Sequence, residues 1–186
     1  MRVVVVGTSG SGKTTMAKRL SQALGVRQIE LDAINWQAGW RDLNTHDRDE
    51  FVRRVAEAAA GEAWVSDGNY GTVRHVLWPR ATHMVWLDYE RPVVMRRVLW
   101  RSFSRAVTGN ELWPGTGNRE SFARWIDKEH PIRWAWDSFH DRRRRYGEAM
   151  AKLEAGGVPV YRLRRPREAE PLIGRLAAEA GGAAAA

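Results

Sequence analysis

Gly7-Thr8-Ser9-Gly10-Ser11-Gly12-Lys13-Thr14 has the residue types and spacing to hold a polyphosphate, matching the P-loop pattern GxxxxGK[ST]. The glycines let the backbone curl so that successive amides, those of Gly7, Ser9, Gly10, Ser11 and Gly12 among them, point inward at phosphate oxygens. A helix that starts at the end of the loop adds the positive end of its dipole and the amides of Thr14 and Thr15. Lys13 supplies a cation to the β and γ phosphates. The Thr14 hydroxyl is an oxygen ligand of the kind that Mg²⁺ prefers. The chemistry expected is therefore the binding of ATP with Mg²⁺. A chance glycine-rich turn would carry the same letters, but residues 2–6 read as a buried strand before the loop and residues 13–24 as a helix after it, which is the context the motif requires.

Such a loop needs a carboxylate near the metal, normally at the end of a strand. Asp32 ends the second predicted strand, and Asp67 and Asp88 each end a short apolar run. Asp88 best fits the bare pattern of an apolar run followed by aspartate. Asp67 is followed by Gly68, which permits close approach, and by polar Asn69, Tyr70 and Arg74. A turn or helix cap would account for any one of the three equally well. Residue types and spacing leave their order open.

The formal net charge is +8, and its distribution matters more than its size. Residues 1–90 carry 11 basic and 11 acidic side chains, whereas residues 91–167 carry 18 and 8. Within the basic segment Arg97, Arg101 and Arg105 are spaced by four and share one helix face, and Arg142 opens a run of four arginines. Phosphoryl transfer spreads charge over equatorial oxygens, and arginines on a mobile element can neutralise it. A solvated helix face is the ordinary account of such a run. One or two of these arginines are expected to act on phosphate, with Arg97, Arg101 and Arg142 foremost, and the rest to solvate. A basic segment also suits a nucleic-acid backbone, the less favoured reading. A regulator gated by nucleotide and presenting a surface to a protein is a third.

Of the ten tryptophans, Trp36, Trp40, Trp113, Trp134 and Trp136 fall on the expected acceptor side and insertion. Core packing is the usual role of large aromatics; a stacking surface for a ring-bearing acceptor is the sharper one. His46, His75, His83, His130 and His140 show no metal-ligand spacing.

The elements that must position these residues follow from composition and periodicity. At 186 residues, 44% hydrophobic and 28% charged, the chain suits one packed domain. The lack of cysteine excludes disulfides, thiolate metal ligands and a cysteine nucleophile. The first apolar run, residues 3–6, is too short for a signal peptide or a span, so cytoplasmic residence without a membrane partner is expected. Further strands are predicted at 27–31, 63–66, 83–87 and 158–163. A helix capped by Asn44 or Thr45 runs to residue 60, and a helical turn covers 72–78. Residues 91–154 read as helix, a Gly/Pro-bearing connector at 109–118, and helix; a last helix covers 169–178. This predicts an α/β fold with a parallel sheet and a helical insertion before the last strand, in one domain over 1–180 with a flexible tail at 181–186.

The P-loop with Leu31-Asp32-Ala33-Ile34-Asn35-Trp36, Asp67-Gly68-Asn69-Tyr70, Glu111-Leu112-Trp113 and Asn118-Arg119-Glu120 resembles the adenylate-kinase-related proteins labelled DNA topology modulation (FlaR-type) proteins, over about residues 1–165. The resemblance implies a three-layer P-loop fold with five parallel strands in the order 2-3-1-4-5 and a lid before the last strand, as in nucleotide and shikimate kinases. It implies that Asp67 holds Mg²⁺ through water and that Asp32 stands beside the acceptor hydroxyl as base or orienter. Arg74 is the candidate for acceptor phosphate, although Asp67-Gly68-Asn69-Tyr70-Gly71 replaces the Asp-Gly-Phe-Pro-Arg of adenylate kinases. Trp36, Asn69 and Tyr70 would complete the acceptor side, and Arg164, Arg165 and Pro166 would border adenine. The expected function is transfer of the γ-phosphoryl group of ATP to a small acceptor, a nucleoside, nucleotide or other small alcohol, by a monomer or homodimer.

Overall fold

The computed structural model describes residues 1–122, 125 and 131–184. Its centre is β1 (Arg2–Gly7), where Val3, Val4, Val5 and Val6 are at most 2% exposed. β-branched residues favour the pleat, and a continuous apolar run suits a strand covered on both faces. Around β1 lie β2 (Arg27–Glu30), β3 (Trp64–Asp67), β4 (His83–Leu87) and β5 (Val160–Leu163), all paired in parallel in the order β2-β3-β1-β4-β5. This is the sheet order expected from the resemblance.

Alternate residues of each strand feed two cores, because side chains alternate across a pleat. Val3, Val5, Val65 and Val85 pack beneath α1 (Lys13–Leu24) and α8 (Ala169–Ala184) with Leu20 and Leu176. Val4, Val6, Trp64 and Met84 pack beneath α4 (Arg48–Ala58) and α7 (Pro131–Ala155) with Phe51 and Tyr146. The result is three layers, with the carboxyl ends of the strands on one edge, where open α/β sheets bind ligands. The insertion is α6 (Arg91–Thr108), a connector and α7, and precedes β5 as expected.

Several boundaries differ from the expected ones, each for a local reason. β2 stops at Glu30 because Leu31–Asn35 form a short helix, α2, so Asp32 stands on helix rather than at a strand end. Neither Asn44 nor Thr45 caps the next long helix. Asp42 accepts the Thr45 amide at 2.8 Å to cap α3 (Leu43–His46), and Asp47 accepts the Glu50 amide to cap α4. Aspartate satisfies the free amides and suits the dipole. α4 ends at Ala58. The turn expected at 72–78 is α5 (Arg74–Leu77) between 3-10 turns. β5 begins at Val160 because Pro159 has no N–H to donate to a ladder. α8 runs to Ala184 instead of stopping near residue 178, its alanines favouring helix although Gly181 and Gly182 oppose it. Residues 185–186 and His130 lie outside the described residues.

Candidate active site

The P-loop leaves β1 and enters α1 through Gly12, which has φ 94° and no side-chain cap. The first amides of α1 are thus left for a ligand. Gly10 is also left-handed, and a Cβ there would lie 2.8 Å from the Val98 Cβ of α6. The loop opens into a cleft of about 1320 Å³. Ser9, Gly10, Ser11, Gly12, Lys13, Thr14 and Thr15 line its floor, with Pro166 at one side.

Lys13 donates from Nζ to the Thr8 carbonyl at 3.1 Å. Burial pulls the ammonium down to about 8, opposed by the charges of Asp32 and Asp67 and reinforced by Arg101 and Arg142. Asp67 is 3% exposed at the end of β3, and burial pushes its carboxyl up to about 6 against a Thr14 hydrogen bond and the Lys13 charge. Its Oδ1 is buried without a hydrogen-bond partner. Gly68 lets this strand end approach α2, since a Cβ there would meet the Leu31 side chain at 2.8 Å. A hard cation between Asp67 and the Thr14 hydroxyl would complete the unsatisfied oxygen, so these residues fit Mg²⁺. Among the described residues no group of three or more His, Cys, Asp or Glu could hold a metal ion.

Asp88 has a different environment. It is equally buried, but Arg143 Nε lies 2.8 Å from Oδ1 and Arg162 Nη2 lies 2.6 Å from Oδ2. It does not line the cleft and, placed just after β4, ties α7 to β5 through these two arginines.

α6 presents Arg97, Arg101 and Arg105 to the cleft, as their spacing predicts. Arg97 Nη1 donates to the Ser11 carbonyl at 2.9 Å, and its guanidinium lies over the Tyr89 ring. Arg101 loses solvent on folding and feels Arg105, so its guanidinium is pulled down to about 10. Its Nε is buried with no hydrogen-bond partner. The side of α6 away from the arginines exposes Trp100 and Val107, 70% and 61% accessible. Val94 and Val98 are still buried, so only the outer part of the helix departs from the usual arrangement, in which apolar residues turn inward and charges outward. Of the run at 142–145 only Arg142 lines the cleft, stacked 3.7 Å over the Trp134 ring. Arg143 serves Asp88, while Arg144 and Arg145 pair with Asp141.

Asp32 stands opposite, with Oδ1 accepting from the Tyr70 hydroxyl at 2.7 Å. Burial, followed by the Asp32 charge, pushes the Tyr70 phenol far up, so it remains a donor. Asn69 lines the cleft, and its Nδ2 donates to the Gly7 carbonyl at 2.5 Å, bracing β3 to the P-loop. Trp36, Trp40 and Trp113 form one wall with ring centroids 5.6 to 6.1 Å apart. Trp113 donates to Glu30 at 3.2 Å. Asn118, 1% exposed, accepts the Trp40 amide and donates to the Gln37 carbonyl, both at 2.9 Å. Trp40 itself has φ 61°, which costs a non-glycine residue roughly 1–2 kcal/mol.

Four residues expected at the site, Gly7, Arg74, Arg164 and Arg165, are absent from the cleft lining. The Arg74 guanidinium lies 4.7 Å from the Trp78 ring centroid and 5.6 Å from that of Tyr146, outside the cleft, because Trp78 is one helical turn along the same face. The Arg164 side chain is exposed and not in the lining, while its amide donates to Glu168. Trp136 lies under Arg91 rather than in the cleft. Glu30, Arg105 and Glu120 also line the cleft. Their signals were present in part: Arg105 continues the spacing of Arg97 and Arg101, and Glu30 sits two residues before Asp32.

No family model matches this chain. It is 26% identical over 133 residues to a shikimate kinase of Synechococcus elongatus, covering 59% of this chain and 67% of that one. It is 40% identical over 65 residues to a probable gluconokinase of Schizosaccharomyces pombe, covering only 32% and 34% of the two chains. The shikimate kinase structure from Bacteroides thetaiotaomicron superposes with a TM-score of 0.57 at 17% identity, over 95% of this chain and 96% of that one. The fold is that of a shikimate-kinase-like P-loop kinase. The cleft lies above the strand ends, with the P-loop on its floor and α2, the 36–42 loop and the connector contributing Asp32, Trp36, Trp40 and Trp113 to its lining. No helix among the described residues is long and apolar enough to cross a membrane.

Proposed function

We propose that this chain transfers the γ-phosphoryl group of ATP to a hydroxyl of a small acceptor held between Asp32 and the arginines of α6. The observation that carries this reading is the convergence of Lys13, Arg97, Arg101 and Arg142 on one cleft. Burial pulls the ionisation of the Lys13 and Arg101 cations down there, and Arg101 adds to the effect on Lys13, so the cleft favours an anion. A polyphosphate supplies that anion.

Lys13 and the P-loop amides would bind the β and γ phosphates, and Pro166 would flank the base. Thr14 and Asp67 would hold Mg²⁺, which when bound neutralises phosphate charge. Asp32, oriented by Tyr70, would accept the acceptor's hydroxyl proton as its oxygen bonds to the γ phosphorus and the bond to the β–γ bridging oxygen breaks, releasing ADP. Arg97 and Arg101 would stabilise the charge on the equatorial oxygens. Closure of the connector would exclude water, the competing acceptor. The FlaR-type resemblance is the finer reading. It rests on Asp67-Gly68-Asn69-Tyr70 and on the segments around Trp113 and Asn118, which meet at the acceptor wall. A monomer or homodimer acting in the cytoplasm fits the same reading.

ATP consumption by the purified chain should rise with a cognate acceptor and stay low without it; equal consumption in both conditions would reduce the protein to an ATPase. The metal assignment has its own check. Asp67→Asn should raise the Mg²⁺ concentration for half-maximal turnover by about tenfold, the scale set by losing one 1.4 kcal/mol interaction. Asp88→Asn should leave that titration unchanged and lower the urea midpoint instead, because it strands two arginines. The opposite ranking would move the metal to Asp88.

A further inference from the structure

We infer that Asn118 is the positioning residue of the acceptor side: its side-chain amide pins the connector to the 36–42 loop, so that the two close over the cleft as one piece and keep water from the γ phosphate. The inference rests on the kinase reading above and adds to it the part that couples ATP use to the acceptor.

Two small hairpins meet at Asn118. One is closed by an antiparallel bridge between Trp36 and Asp42, with the Gln37 amide donating to the Arg41 carbonyl at 2.8 Å. The other is closed by a bridge between Glu111 and Arg119, with the Leu112 amide donating to the Asn118 carbonyl at 2.9 Å. A lone hairpin is marginal in water, so each needs a surface to lie on. Asn118 gives each the other. Its Nδ2 donates to the Gln37 carbonyl and its Oδ1 accepts the Trp40 amide, the same pair of bonds that a peptide group makes in a ladder. A primary amide carries donor and acceptor in one plane, which suits it to this substitution for backbone. The residue is 1% exposed, so loss of either bond would leave a buried backbone group unpaired.

Asn118 does not itself line the cleft, whereas the rings it places do. Trp40 is the one non-glycine residue with positive φ among the described residues. Such a backbone persists where the surroundings impose it. Here Asn118 holds the Trp40 amide while Trp36 and Trp113 flank the indole. Trp113, on the pinned connector, donates to Glu30, which is in register with Asp67 and stands two residues before Asp32. At the other end of the insertion, Arg97 donates to the Ser11 carbonyl and Val98 packs on Gly10. The chain from Arg97 to Asn118 is thus fastened at the P-loop and again at the acceptor wall. Releasing the second fastening lifts the connector and leaves the nucleotide floor as it is.

The test compares the wild-type chain with Asn118→Ala and with Asn118→Asp, which keeps the acceptor for the Trp40 amide and turns the donor to Gln37 into a second oxygen. Peptide-resolved hydrogen exchange and ATP hydrolysis without any acceptor are read on each. In that hydrolysis a water oxygen bonds to the γ phosphorus as the bond to the β–γ bridging oxygen breaks, giving ADP, inorganic phosphate and a proton. Both variants are expected to exchange about tenfold faster in 36–42 and 109–119 together and to hydrolyse ATP about tenfold faster, the scale of one hydrogen bond, with the ATP KM kept within about twofold. Faster exchange in the connector alone overturns the inference, because the two segments are then separate pieces. Unchanged hydrolysis with both segments loosened overturns it as well, because the pin then does not keep water out. A raised ATP KM with loss of protection across the sheet gives Asn118 a role in the fold alone and overturns it too. The kinase reading stands or falls separately, on whether a cognate acceptor raises ATP consumption by the wild-type chain.

Discussion

Lys13→Ala is expected to lower turnover by about 10³ or more in a protein that still folds, since loss of a single preorganised charge stabiliser already costs roughly 10² to 10³. Lys13 packs over no core; its ammonium rests on the Thr8 carbonyl, between Asp32 and Asp67. Removing it leaves two carboxyl groups facing an incoming polyphosphate without the cation between them. ATP affinity should fall together with turnover. Steady-state kinetics and nucleotide titration, with circular dichroism to verify the fold, decide the matter. Wild-type turnover in a folded variant would remove the P-loop from the mechanism.

Arg101→Ala is expected to reduce kcat by roughly 10² to 10³ while changing ATP affinity much less, because interactions made in the transition state and in the ground state are separable. The geometry favours this outcome: Arg101 Nε is buried without a partner, and the guanidinium lies in a cleft shared with Lys13. A surface that tracked a nucleic-acid backbone would behave otherwise. The same substitution would then weaken oligonucleotide binding, reduce its salt slope by about one unit and spare ATP chemistry. Turnover and salt-dependent oligonucleotide binding measured on one preparation separate the readings, and unchanged turnover with a lost salt slope would sink the lid.

The P-loop was legible because its chemistry is local: eight consecutive residues carry the curl, the cation and the metal hydroxyl. The sheet was legible for a similar reason, since each strand is a short apolar run whose period and flanking turns are visible in isolation. The choice between Asp67 and Asp88 was not. What favours Asp67 is that Asp88 holds a pair of arginines, which stand 55 and 74 residues away in sequence. The positions of Arg74 and Arg164 outside the cleft lining were not legible either, because a long side chain takes its direction from tertiary neighbours, for Arg74 the rings of Trp78 and Tyr146. The arginine face of α6 needed only helical spacing and so could be read directly. Its partial inversion, with charge turned in and Trp100 turned out, could not.

The closeness of Gly10 to Val98 has an evolutionary consequence. The phosphate loop and the helix that carries the arginines meet where neither has room for one more carbon atom. The obstruction is the Val98 Cβ together with the Val94 carbonyl and the Val98 amide, and Gly10 is itself left-handed, so shortening the side chain at 98 does not relieve it and homologous chains should keep glycine at position 10. Arg97 lies one position before that contact, so its reach to the Ser11 carbonyl constrains the same approach. The nucleotide floor and the base of the lid form one inherited unit, whereas the connector and its tryptophans remain free to diversify with the acceptor.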